Sequence, residues 1–292
     1  MKILNFGSLN IDYIYRVKHI TAPGETLAAA SREVFCGGKG LNQSIALAKA
    51  GAEVYHAGCI GAEGSMLFDA LQAAGADCSH VKTLDCTSGH AVIQVEDSGQ
   101  NSILLFGGAN QMMTSVFVDE VLADFSAGDI LLLQNEINLL GEIVDKAYHR
   151  GMKIVLNPSP YNDFLSSVNM DKIAIFLLNE VEGEQMSGET EPDAILESLL
   201  QMYPAAEVIL TLGEAGAVYG CGQRVCRQGA FSVKTVDTTG AGDTFTGYFL
   251  ASLMEGQDIP ACLELAAKAS AIAVTREGAA PSIPSRAEVE SF

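Results

Sequence analysis

Positive charge is scarce in this sequence. Lys and Arg number 17 against 36 Asp and Glu, a net charge of −19 over 292 residues. So acidic a surface repels phosphate backbones and anionic lipids, which argues against nucleic-acid and membrane partners. A small anionic ligand is still compatible, because local backbone dipoles override net charge. Paired cysteines are missing too: the seven, at 36, 59, 78, 86, 221, 226 and 262, contain no C-x-x-C. An odd, scattered set points to neither a disulfide framework nor a zinc site. No apolar run has the length of a membrane span. The opening MKILNFGSLNID lacks the apolar core of a secretory signal. The expectation is a soluble protein of a reducing, cytoplasmic compartment. There is no internal repeat or low-complexity linker, and no G-x-x-x-x-G-K-[ST] phosphate loop.

What is present is apolar sequence in quantity, 48% of the chain. That suffices for one large α/β domain, or a domain with an appendage. Near-continuous apolar runs at 2–7, 54–60, 129–134, 153–157, 173–178 and 207–212 predict strands covered on both faces. Helical patterns at 41–50, 64–74, 138–149, 192–202, 242–255 and 260–275 alternate with them. The alternation predicts a doubly wound, mostly parallel α/β sheet flanked by helices. Stretches 13–18 and 27–35, and a hairpin of 89–96 with 101–106, read as strands with one wet face. They predict a small β-sheet lid, from about 12–35 and 89–106, on a single domain covering 1–292.

Polar clusters fall at the ends of these strands. VDTTGAGDTFTG (236–247) joins the strand-like FSVKTV (231–236) to a helix. Gly240, Ala241 and Gly242 at a helix start form an anion hole suited to a transferring phosphoryl group. Asp243 then accepts the proton of an attacking hydroxyl; the plainer alternative is a helix N-cap worth ~1 kcal/mol. A dinucleotide fingerprint is disfavoured, because Phe245 holds the place of the third glycine. In GSLNID (7–12), Asn10 and Asp12 share one side of an extended chain and suit a polyol, or form an Asx-turn. CGGKGLNQ (36–43) offers Gly38, Lys39 and Asn42, or a flexible surface loop. Glu136 follows an apolar strand as a sugar ligand or a surface residue. Asn179 and Glu182 share a helical face, suited to Mg²⁺ and phosphates or to an ordinary acidic helix start. TLGEAG (211–216) is a tight turn, or exposed backbone along a nucleotide. In a parallel sheet all these ends meet on one rim.

Together these motifs resemble the ribokinase-like, or PfkB-type, carbohydrate kinase family, and within it the ribokinases. GSLNID, PGET, GGKGLNQ, GGAN, LNPSP, NEVE, TLGEAG, DTTGAGDTF and AIAVTREGAAPSIP occur in the family's order over nearly the whole chain. The resemblance implies an ATP-dependent kinase that phosphorylates ribose, with relatives acting on deoxyribose, fructose, keto-deoxy sugar acids or nucleosides. It implies Asp243 as catalytic base and Gly240, Ala241 and Gly242 as anion hole. Asn10, Asp12, Gly38, Lys39, Asn42 and Glu136 would bind sugar. Asn179, Gly242 and the stretch Thr211, Leu212, Gly213, Glu214, Ala215 and Gly216 would hold ATP. Glu182 would place Mg²⁺ through water. Asp237, Thr239, Ala273, Arg276, Gly278 and Ser282 would surround an activating K⁺. The lid would pair two subunits into a homodimer. Leu178 stands where the family usually has Pro, and Ala267 where a larger polar residue often lines the adenine pocket. Tyr13 and Tyr15 make the first lid strand unusually aromatic, with the expectation that they reshape the sugar pocket.

Overall fold

A computed structural model describes residues 1–292. The first third holds β1 (Ile3–Phe6), β2 (Asn10–Val17), β3 (Ser31–Gly37), α1 (Lys39–Lys49), β4 (Val54–Gly61), α2 (Ser65–Ala74), β5 (Asp77–Leu84), β6 (Gly89–Glu96) and β7 (Asn101–Phe106). Next come α3 (Ser115–Leu122), β8 (Ile130–Gln134), α4 (Leu140–His149), β9 (Lys153–Asn157), β10 (Ile175–Asn179), α5 (Glu180–Ser187) and α6 (Pro192–Met202). The remainder is β11 (Glu207–Thr211), β12 (Ala217–Cys221), β13 (Arg224–Gln228), α7 (Ala241–Met254), α8 (Ile259–Ala273) and α9 (Arg286–Glu290).

Nine strands form one sheet in the order β13-β12-β11-β10-β9-β8-β1-β4-β5. From β11 to β5 every neighbouring pair is parallel, and β12 and β13 close the other edge antiparallel. Successive residues of a strand enter opposite cores, as the pleat requires. Ile3 and Leu132 pack with α1, α2, α7 and α8, whereas Leu4, Leu131 and Leu133 pack with α3, α4 and α6. Both faces are therefore covered, which is why runs such as ILLL carry no polar alternation. β1 lies between β8 and β4, so the chain winds away from it in both directions. Its carboxyl end is the switch point at which such sheets bind ligands.

A second sheet, ordered β3-β2-β6-β7, rises from that end of β1. Its central pair, β2 and β6, is parallel, and its outer pairs are antiparallel. Several sequence expectations change here. The second strand of this sheet starts at Ser31, not at 27, because the chain after the Ala22–Glu25 turn runs as loop up to that point. β7 has no dry face: Ile103, Leu104, Leu105 and Phe106 are 59%, 71%, 48% and 53% exposed. The stretch 231–236 is no strand, since it finds no ladder partner, and Val236 N–H instead donates to the Val274 carbonyl at 2.7 Å. β5 and β13 are the sheet's two edge strands, where polar and exposed positions dilute the apolar signal.

Helices α1 and α7 meet at a glycine. A Cβ on Gly247 would lie 2.4 Å from Ala46 Cβ and 2.8 Å from the Leu47 amide. Gly247→Val is expected to destabilise the protein by about 1–3 kcal/mol through overpacking. Urea unfolding monitored by circular dichroism would measure this as a lower midpoint.

Candidate active site

The carboxyl end of β1 is built on close backbone contact. A Cβ on Gly40 would lie 2.3 Å from the Ser8 amide, and Leu41 N–H donates to the Ser8 carbonyl at 2.9 Å. Gly38, the residue before α1, has φ +93°, a value that L side chains rarely adopt. The start of α1 thereby rests on residues 7–10 and brings four predicted sugar ligands to one place. Glu136 Oε2 accepts from the Lys39 amide at 3.0 Å and from the Ser8 hydroxyl. Asp12 lies against Gly37, where a Cβ would come within 2.0 Å of its Oδ2. Asn10 Oδ1 accepts from Asn110 Nδ2 at 2.7 Å over Gly89, which likewise has no room for a Cβ.

The ionisable groups among these are shielded from water. Burial, with the Glu136 charge added, pushes the Asp12 carboxyl up to about 7. Burial also raises Glu136, against the opposing effects of the Lys39 charge and the Ser8 and Lys39 donors. For Lys39 burial works toward the neutral amine, but the charges of Asp243, Glu136 and Glu182 outweigh it and hold the ammonium above its usual range. Tyr13 and Tyr15 do not enter this cluster. Alternation along β2 turns them to the face opposite Asp12. Tyr13 meets the His90 ring edge-on at 5.9 Å, with the Arg32 guanidinium 5.6 Å from its centroid.

Asp243 sits in the first turn of α7 and is 7% exposed. It is not the N-cap. Gly240 takes that position with φ +75°, and no side chain caps the helix; of the predicted anion hole, however, the Ala241 amide is spent on the Thr238 carbonyl at 3.2 Å, which leaves the Gly240 and Gly242 amides to an anion. Asn42 Nδ2 donates to Asp243 Oδ2 and Gln43 Nε2 to Oδ1, both at 2.9 Å. Asp243, Lys39, Asn179, Glu182, Gly240 and Gly242 share a pocket of about 200 Å³. Through Thr211, Thr238 and Gly242 this pocket continues into a groove of about 560 Å³. The groove's far walls are Phe231, Val233, Ala267 and Val274, an apolar slot of a size and character for a nucleobase.

The remaining predicted positions separate. Thr211, Gly213, Glu214 and Gly216 line the groove, but Leu212 turns into the core beneath and Ala215 lies outside the lining. Asn179 and Glu182 form a capping box. Glu182 N–H donates to Asn179 Oδ1 at 3.0 Å, and Glu182 Oε2 accepts from the Asn179 amide at 2.9 Å. Both carboxylate oxygens of Glu182 thus have protein donors, yet the group still borders the pocket. This suits a metal held through water better than direct ligation. Asp237 accepts from the Thr239 amide and hydroxyl and, at 2.9 Å, from Gly278 N–H, which ties the loop before α7 to the loop after α8. The Arg276 side chain reaches the Ser282 carbonyl at 3.5 Å and Glu288 at 2.6 Å, so only its main chain is left for a cation.

Gln43, Asn110, Asn157 and Ser8 were not singled out from the sequence. All four lie inside the motifs GGKGLNQ, GGAN, LNPSP and GSLNID, so proximity to a motif was the signal available.

The Asp12 shift makes a prediction about stability. Unfolded, its carboxyl ionises near pH 4; folded, it keeps its proton until about pH 7. The fold is therefore not penalised below pH 4, is penalised progressively between pH 4 and 7, and fully above. Asp12→Asn should raise ligand-free stability on the order of 2–4 kcal/mol at pH 8 and leave it nearly unchanged at pH 4. Thermal unfolding at both pH values measures the difference.

Comparison with known proteins gives a consistent answer. A ribokinase of Haemophilus influenzae is 36% identical over 98% of this chain and 96% of its own length. A deoxyribokinase of Salmonella typhimurium is 31% identical over 100% of this chain and 97% of its own. The solved structure of Arabidopsis thaliana ribokinase complexed with ribose and ATP superposes with a TM-score of 0.89. It is 29% identical and covers 99% of this chain and 97% of that one. The family model for pfkB family carbohydrate kinases matches residues 1–286. The chain belongs to the pfkB family of carbohydrate kinases.

Proposed function

We propose that this kinase transfers the γ-phosphoryl group of ATP to the 5-hydroxyl of D-ribose, giving ribose 5-phosphate and ADP. The observation that carries the reading is the position of Asp243. Its carboxylate lies where the polar cluster under the lid meets the small pocket at the start of α7. An alcohol bound against it loses its proton to Asp243 as the oxygen attacks phosphorus. Charge on the moving phosphoryl group falls on the amides of Gly240 and Gly242 at the uncapped helix end.

Asn10, Asp12, Gly38, Lys39, Asn42 and Glu136 hold the sugar, whose hydroxyls both donate and accept among these carboxylates and amides. The apolar slot takes the adenine, with Thr211, Gly213, Glu214, Gly216 and Asn179 along the nucleotide. Mg²⁺ supplies charge neutralisation of the phosphates, and Glu182 would hold it through water. K⁺ belongs at the Asp237 loop, with Thr239 and the main chain of Ala273, Arg276, Gly278 and Ser282. The loop adjoins the anion hole through Gly240, so order there is order at the amides. The lid, 12–35 and 89–106, covers the sugar and keeps water from competing as acceptor. A second copy of the chain covers the apolar strand β7, whose four exposed large side chains make a patch a lone subunit rarely leaves open.

Two experiments test this. ADP release should be measured over ribose, 2-deoxyribose, fructose, a keto-deoxy sugar acid and a nucleoside. Ribose should give the highest kcat/KM, and Asp243→Asn should lower kcat by about 10²–10⁴ with KM little changed. Higher kcat/KM with another sugar overturns the substrate and leaves the reaction class intact. Leu104→Asp in β7 should convert the dimer to a monomer in sedimentation velocity, and a wild-type monomer would refute the pairing.

A further inference from the structure

Five adjacent strands of the main sheet place one polar group each in a buried row beneath α1. His56 of β4 is in register with Asn5 of β1, and Gln134 of β8 with Asn157 of β9; β10 contributes the Leu177 carbonyl. Asn5, Gln43, Ser44, His56 and Gln134 are wholly buried. Gln134 Nε2 donates to Gln43 Oε1 at 2.6 Å and to Asn5 Oδ1 at 3.0 Å. Asn5 Nδ2 donates to the Gly40 carbonyl at 2.7 Å and to Ser44 Oγ at 2.8 Å. The Ser44 hydroxyl also pairs with His56 Nδ1 at 2.8 Å. Burial keeps that imidazole neutral, its pKa lowered to about 3, so the row ends at its far side in an uncharged ring.

The row has a direction. Gln43 Oε1 is fixed toward the Gln134 amide group. Its Nε2 must therefore face Asp243 Oδ1 at 2.9 Å and Asn157 Oδ1 at 3.2 Å. A flipped Gln43 amide would set donor against donor and acceptor against acceptor at both ends. Asp243 is the one charged group the row meets, and each of its oxygens receives one amide donor from α1, Asn42 or Gln43. A carboxylate gripped at both oxygens cannot turn about its own axis, and its remaining lone pairs keep a fixed aim.

We propose that Gln43 is a positioning residue for Asp243, and that the buried row Gln134–Asn5–Ser44–His56 holds the Gln43 amide in the one orientation that serves this purpose. The inference rests on Asp243 as the proton acceptor and makes no use of which sugar is bound.

The test is Gln43→Glu, nearly the same shape, which keeps the acceptor for Gln134 but removes the donor to Asp243. A second variant, Gln134→Met, breaks the row one link back and leaves both Gln43 and Asp243 in place. All measurements use the sugar that the wild type turns over best, so a wrong sugar assignment appears in the wild type and not in the comparison. Gln43→Glu should lower kcat about a hundredfold and Gln134→Met about tenfold. KM for sugar and ATP, and the calorimetric Kd for sugar without nucleotide, should stay within about threefold. In an Asp243→Asn background the Gln43 change should cost no further activity, because the group it orients is already gone. If Gln43→Glu does not fold, Gln43→Asn, one methylene too short to hold both ends, takes its place. Wild-type kcat in a folded Gln43 variant overturns the proposal. So does a kcat loss matched by an equal loss of sugar affinity, or additive loss with Asp243→Asn.

Discussion

A carboxylate held almost out of water at the start of a helix is the constraint around which this molecule is arranged. A negative charge in such a place needs donors, and α1 supplies Asn42 and Gln43, one for each oxygen of Asp243. For α1 to deliver them it must lie against both α7 and the carboxyl end of β1. Glycines make those approaches possible: Gly247 toward Ala46, Gly40 toward Ser8. The same approach carries Lys39 and Glu136 into contact with the residues that follow β1. Catalytic geometry and backbone packing are thus one problem, solved by the absence of a few Cβ atoms.

Much of the fold could be read from the sequence because its physics is local. A strand buried on both faces has to be apolar throughout, so the central strands announced themselves, as did helices with a clean stripe such as 192–202. The margins did not. β5 carries DCSHVKTL, and β12–β13 pair as an edge hairpin; both are defined by which neighbour they find, not by pattern. The stretch 231–236 shows the converse. It has the composition of a strand, but no partner edge reaches it, and it serves as a wall of the groove instead.

The site was legible to a similar degree and for a related reason. Charged residues beside glycines at strand ends stand out, and Asp12, Lys39, Glu136 and Asp243 lie near enough to one another to act on each other's charge. Their supports are neutral amides on separate strands, and nothing in a neutral Gln or Asn betrays what it faces. Gln134 is separated from Gln43 by 91 residues and Asn110 from Asn10 by 100, distances over which only the folded chain can speak. Glu182 had two readings, an acidic helix start and a residue of the phosphate region. It turns out to be capping box and pocket wall at once, so those alternatives did not exclude each other.

The electrostatics of the pocket follow from the same economy. Of the charged side chains lining it, Lys39 is the one cation, against Glu182 and Asp243. With the whole chain at −19, side chains alone would repel a triphosphate. Attraction has to come from elsewhere, and the uncapped end of α7 offers it, with a partial charge that salt screens little at contact distance. Lys39, surrounded by three carboxylates, is held protonated without being neutralised by any one of them. Its positive charge persists among the carboxylates of the cluster, while Asp243 stays committed to the two amides behind it.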